Sequence, residues 1–134
     1  MIEDLITEKI IGCAMKVHSS LGPGLLESVY EECLYYELCK TDLIVERQKP
    51  IPLIYESIKL ECGFRADLLV DNKVIVELKA AESITNVFIA QVLTYLRITG
   101  CKIGLLINFN VKSLKDGIKR VIYTRNEINA DKDK

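Results

Sequence analysis

The chain predicts an α+β fold, with a central mixed, mainly antiparallel sheet flanked by helices in a sandwich-like arrangement. Three observations lead there. The length of 134 residues suits one domain with a real core. The hydrophobic patterns run in the order helix, helix, several strands, helix, strand, which suits helices gathered on a mainly antiparallel sheet. The clearest strand signal is a pair of apolar runs, Leu68-Leu69-Val70 and Val74-Ile75-Val76, flanking Asp71-Asn72-Lys73. Such a pattern is a hairpin.

Residues 4–20 place Ile6, Ile10, Cys13, Ala14, Val17 and Leu21 at helical spacing. Leu21-Gly22-Pro23-Gly24 stops that helix and turns the chain. A second helix is expected from about Leu25 to Lys40, with Leu26, Val29, Cys33, Leu34 and Leu38 facing inward. Strand signals follow at Leu43 to Lys49, Ile51 to Tyr55 and Ile58 to Cys62, and then in the hairpin. Pro50 and Pro52 point to an edge or irregular strand. Its apolar stretch from Ile51 to Tyr55 offers pairing with another chain, as in a homodimer. Thr85 to Thr99 reads as a third helix ended by Gly100, and Lys102 to Phe109 as a buried strand. Ser113 to Gly117 suits one short helical turn, and Ile118 to Thr124 a last strand. Residues 1–125 form one expected domain, and 126–134 a flexible polar tail.

Composition narrows the function. No apolar run approaches the roughly 20 residues that span a bilayer, and the N-terminus Met-Ile-Glu-Asp is acidic where a signal peptide is basic. A cytoplasmic location is expected, with no membrane partner. The five cysteines, at 13, 33, 39, 62 and 101, contain no Cys-x-x-Cys pair, so buried reduced thiols are expected rather than disulfides or zinc. A net charge of −1 supplies no global basic field for nucleic acid. Local basic groups are Lys112, Lys115, Lys119, Arg120 and Arg125 near the C-terminus, and Arg65, Lys73 and Lys79 on or near the hairpin. A single histidine, His18, gives poor support to a nucleophile–histidine triad; a favourable interaction with its helix C-terminus explains it better. Gly22-Pro23-Gly24 lacks the Lys-Ser/Thr of a nucleotide-binding loop.

The hairpin carries the chemistry. With a three-residue loop, Val70 faces Val74 and Asp67 faces Glu77, so the two carboxylates share a face with Cβ atoms roughly 5 Å apart. Lys79 then joins them. A two-residue turn would pair Asp67 with Val76 and send Glu77 to the other face. Adjacent carboxylates repel and are tolerated mainly around a cation. Few hard oxygen ligands beside a lysine suit Mg²⁺ held partly by water and by a substrate phosphate. Lys79 could orient the attacking water or stabilise phosphate charge. The bland alternative is a solvated antiparallel face on which Glu and Lys alternate with core residues.

Two further elements bear on that choice, one on each side of the Asp67…Glu77-Leu78-Lys79 set: Gly24-Leu25-Leu26-Glu27-Ser28-Val29-Tyr30 and Gln91-Val92-Leu93-Thr94-Tyr95. In this order the chain resembles the GxxExxY family, a branch of the PD-(D/E)XK nuclease-like superfamily, over roughly residues 5 to 122. The resemblance extends to Gly104-Leu105-Leu106-Ile107-Asn108-Phe109 and to Leu114-Lys115-Asp116-Gly117-Ile118-Lys119-Arg120. It implies a restriction-endonuclease-like core of helix, three-stranded meander, helix and strand. It also implies a nuclease dependent on Mg²⁺ or Mn²⁺ and acting on DNA or RNA. Asp67, Glu77 and the Leu78 carbonyl would hold the ion, with Glu27 as a further carboxylate, direct or through water. Without the resemblance, Glu27 simply complements a helix dipole. Lys79 and Gln91 would complete the catalytic set, and Arg65 and Tyr95 would contact substrate. Gln91 and Tyr95 lie one helical turn apart, which also suits a buried amide satisfied by a tyrosine hydroxyl. Tyr30, three residues after Glu27, either bonds it or packs. Relatives often carry His three residues before the Gln, where this chain has Phe88. The competing function is a non-catalytic module that keeps the fold and binds nucleic acid or protein.

Overall fold

The computed structural model describes residues 1–124. Arg125 and the expected polar tail lie outside the described residues. Helix α1 spans Ile2–Leu21 and α2 Glu27–Cys39. Strands β1 (Val45–Tyr55), β2 (Ile58–Val70) and β3 (Val74–Lys79) form a meander. Helix α3 (Asn86–Thr99) leads to β4 (Ile103–Asn108), and a single 3-10 turn, Leu114–Gly117, to β5 (Ile118–Ile122). The five strands lie in sequence order. All neighbours are antiparallel except β3 and β4, which run parallel and are joined by α3. The α+β expectation of a mixed, mainly antiparallel sheet holds.

The sheet separates two apolar layers. Ile6, Ile10, Ala14 and Val17 of α1 and Tyr30, Leu34 and Leu38 of α2 cover one face, meeting Leu68, Val70, Val74, Val76, Leu78, Leu105 and Ile107. On the other face Val92 and Leu96 of α3 meet Leu69, Ile75 and Leu106. Residues alternating along β3 and β4 thus go to opposite layers, as the pleat requires. Gly104 lets α3 approach, since a Cβ there would stand 2.6 Å from a Val92 methyl.

The inward face of α2 differs from expectation. Leu26 and Val29 are exposed. The helix starts at Glu27, leaving Leu26 outside as its cap, and the fully buried Tyr30 ring takes the inner position by stacking on Phe109 at 4.5 Å. The inner stripe therefore runs Tyr30, Leu34, Leu38, with Glu31 buried beside it. Leu21 is likewise exposed.

The three strand segments expected between Leu43 and Cys62 merge into two long strands. Pro50 and Pro52 are accommodated because β1 is the sheet edge and its register with β2 shifts between Ile51 and Leu53. Beyond this point the β1–β2 hairpin exposes Ile54, Tyr55, Ile58 and Leu60. All five cysteines are free; Cys101 is buried, but Cys13 and Cys33 are half-buried and Cys39 and Cys62 exposed, contrary to the expectation of burial. Among the described residues no helix is long and apolar enough to cross a membrane.

Candidate metal and phosphodiester site

The β2–β3 register settles the sequence's open alternative. Leu68 pairs with Val76, Leu69 with Ile75 and Val70 with Val74. Asp71 and Asn72 both have positive φ, and the Lys73 N–H donates to the Val70 carbonyl at 3.0 Å. Asp and Asn tolerate the left-handed region well, which is why this turn forms here.

One step beyond Leu68–Val76, carboxylates replace the backbone ladder. The Leu78 N–H donates to Asp67 Oδ2 at 2.9 Å, and the Asp67 N–H donates to Glu77 Oε1 at 3.2 Å. Each carboxylate thus caps the other strand. The strand phase also slips here. Ala66 joins Leu69 in the α3-side layer, although Leu68 faces the other side. Opposite the slip, Gln48 of β1 adopts φ 51.

The electrostatics follow from crowding. Glu77 is 4% exposed. Burial, and then the neighbouring Asp67 charge, push its carboxyl up from the ordinary 4.5 to about 8. Asp67 is raised chiefly by burial, and Glu31 adds to the shift; the Leu78 N–H and Gln48 amide oppose it. Glu27, at the start of α2, is raised by partial loss of solvent and by the Asp67 charge. Lys79 lowers all three. Its Nζ lies 4.7 Å from the centre of the Phe88 ring, so Phe88 gives the lysine an aromatic seat.

Helix α3 brings Gln91 and Tyr95 to the same end. Burial and the Glu77 charge push the Tyr95 hydroxyl up, while the Gln91 amide pulls it down. Phe64 stacks on Tyr95 at 3.8 Å. Arg65 is exposed, and its guanidinium donates to the Gln48 carbonyl at 3.4 Å. Lys73 sits in the hairpin turn, at the far end from Glu77. Arg120 is paired with Asp4.

Several residues near the site were not singled out from sequence. Glu31 accepts from Arg47 Nε at 2.8 Å and Gln48 Nε2 at 2.7 Å, and Gln48 Nε2 also reaches Asp67 Oδ1 at 3.2 Å. The spacing of Glu27 and Glu31, one turn apart on α2, was the available signal for the first. The buried Asn108 locks the segment after Lys79. It accepts from the Ala81 N–H at 3.0 Å and donates to the Ala81 carbonyl at 2.9 Å. Two candidates prove architectural. The Tyr30 hydroxyl donates to the Gly22 carbonyl at 2.6 Å and accepts from the Leu25 N–H at 3.1 Å, pinning the Gly22-Pro23-Gly24 turn instead of bonding Glu27. His18 Nε2 lies 2.8 Å from the Val111 carbonyl and ties α1 to the segment after β4.

The family model of the PD-(D/E)XK nuclease superfamily matches residues 4–121. This chain belongs to the PD-(D/E)XK nuclease superfamily. No curated protein and no solved structure matches it. Superfamily nucleases generally use divalent metals, so the donor set bears a fit test. Among the described residues no three His, Cys, Asp or Glu side chains are gathered into a metal-holding cluster. Two carboxylates are nonetheless held side by side with only partial neutralisation. A third oxygen follows from strand alternation. The Leu78 N–H points to β2 and the Lys79 carbonyl accepts from Phe109 on the β4 side, so the Leu78 carbonyl turns toward β2, where the ladder has ended. Two carboxylates and a carbonyl, with water completing the shell, fit a Mg²⁺-like ion. Glu27 feels the Asp67 charge of this pair.

Proposed function

We propose that this PD-(D/E)XK domain is a divalent-metal-dependent nuclease that hydrolyses phosphodiester bonds of DNA or RNA, with Mg²⁺ or Mn²⁺ as its ion. One observation carries the reading: Asp67 and Glu77 are held together at a broken ladder, with Lys79 close enough to lower both. A retired site has no need to keep this costly pair. Asp67, Glu77 and the Leu78 carbonyl would hold the ion, and Glu27 would extend the shell through water. Bound there, the ion supplies acidification of water and stabilisation of the leaving oxygen. Lys79 holds the attacking water or a phosphate oxygen from its seat on Phe88. Gln91 orients the phosphate, with Tyr95 behind it. Arg65, exposed at the rim, grips the nucleic-acid backbone. The finer GxxExxY assignment rests on Gly24, Glu27 and Tyr30, and a cytoplasmic location belongs to the same reading.

The reading as a non-catalytic binding module draws on Phe88 in place of the histidine and on the slightly acidic net charge. One assay separates the two. The purified chain, its Lys79→Ala form and its Asp67→Ala form are incubated with Mg²⁺ or Mn²⁺ and labelled single- and double-stranded DNA and RNA. Wild-type cleavage, reduced on the order of 10²-fold or more in each variant, is the expected result. Equal cleavage by all three would reject this site. No cleavage on any substrate would favour the binding module.

A further inference from the structure

The fold spends backbone strain at one position beside the site. Gln48 lies within β1, yet has φ 51, a conformation a glutamine rarely adopts. Such outliers persist where the surroundings over-determine them, and they cluster at functional sites. The backbone ladder skips this residue, passing from Arg47–Leu68 to Lys49–Ala66. Its side-chain amide nitrogen is engaged instead. The amide nitrogen donates to Glu31 Oε1 at 2.7 Å and to Asp67 Oδ1 at 3.2 Å. Both amide hydrogens are thereby committed, which fixes the orientation of the amide. Glu31 is anchored in turn by Arg47, whose guanidinium also reaches Glu32 at 2.5 Å.

We infer that Gln48 is a positioning residue for Asp67: it links the carboxylate to the Glu31–Arg47 pair and fixes the orientation in which Asp67 meets a divalent ion. This rests on the proposed metal site. The geometry supplies the mechanism. Asp67 Oδ2 is held by the Leu78 N–H and Oδ1 by Gln48, so each oxygen spends one lone pair on the protein and keeps another for a ligand. A carboxylate tethered at both oxygens loses little freedom when it binds a cation, and such outer partners typically govern metal affinity 10- to 100-fold. Gln48 itself touches neither the ion nor the substrate in this account.

The test combines metal affinity with chemical denaturation. Gln48→Gly keeps the backbone conformation, which glycine adopts freely, and deletes the amide. It is expected to weaken Mn²⁺ binding roughly tenfold while the fold survives. A role confined to shaping β1 would leave that affinity unchanged, and a change under twofold overturns the inference. A second variant, Glu31→Gln with Gln48→Glu, restores a donor and an acceptor between α2 and β1 but gives Asp67 a like charge in place of its donor. Its Mn²⁺ affinity is expected to stay low; recovery to wild type would show that only the Glu31 link matters. Independently of any metal, a double-mutant cycle of Gln48→Gly and Asp67→Ala in urea should show non-additivity of roughly fivefold in the unfolding equilibrium constant. Wild-type protein that binds no Mn²⁺ would overturn the metal reading. The cycle would still decide whether Gln48 holds Asp67, since additivity rejects that link and coupling upholds it.

Discussion

Replacing Glu77 by Gln should make the metal-free protein more stable at alkaline pH, and the expected size follows from the site. The Glu77 carboxyl is raised from the ordinary 4.5 to about 8, first by burial and then by Asp67. A raised folded-state pKa means the folded chain retains a proton that the unfolded chain has released. The associated stability is therefore complete below about 4.5 and is lost as pH climbs through about 8. At 1.36 kcal/mol per pH unit the separation gives a ceiling of about 5 kcal/mol. Water penetration and relaxation reduce this, and ~2 kcal/mol is a reasonable expectation at an effective dielectric near 20. Glutamine is isosteric, never ionises, and can still accept from the Asp67 N–H that now reaches Oε1. The melting curves of wild type and Glu77→Gln, measured in chelator from about pH 4 to 9, should nearly coincide at the acid end. They should separate by roughly 5–10 °C at pH 9, with the variant higher. Parallel curves would refute the claim that Glu77 is buried against Asp67 with only partial compensation. Saturating Mn²⁺ should reverse the order, raising wild type and leaving the variant in place.

Other consequences are more local. Tyr30→Phe removes a hydroxyl that serves Gly22 and Leu25; thermal unfolding should show a loss of about 1–2 kcal/mol with metal affinity intact, and a selective loss of affinity would return Tyr30 to the site. Gly117→Ala would drive a Cβ into the Asn108 carbonyl; a destabilisation of roughly 2 kcal/mol or more is expected, and an unchanged melting temperature would contradict the packing around the 3-10 turn. Glu27→Gln removes a charge that acts on Asp67 at a distance, so calorimetry should give a metal affinity change of only several-fold, well short of the loss in Asp67→Asn.

Much of the fold was legible because local patterns and tertiary packing agree. Ile6, Ile10, Ala14 and Val17 mark the buried side of α1 as their spacing suggests. Asp71-Asn72-Lys73 sets the hairpin register because Asp and Asn accept positive φ, and from that register the Asp67–Glu77 pairing follows. Helix α2 was misread where periodicity alone could not decide. Leu26 and Val29 are apolar but exposed, and Tyr30 is buried because Phe109, far along the chain, offers it a ring. Gln48 was illegible for a similar reason. Its strained backbone and its bridge from Glu31 to Asp67 exist only once α2, β1 and β2 have assembled. Glu31 and Asn108 likewise looked like ordinary polar residues, because their partners are distant in sequence.

The central claim is that Asp67 and Glu77 form a divalent-metal site. Isothermal titration with Mn²⁺ at pH 6 and pH 8, on wild type and Asp67→Asn, tests it most directly. Metal ligation requires the ionised carboxylates, so wild type should bind more tightly at pH 8, release protons on binding, and lose binding in Asp67→Asn. Binding that is weak and equal in both proteins, or independent of pH, would contradict the account.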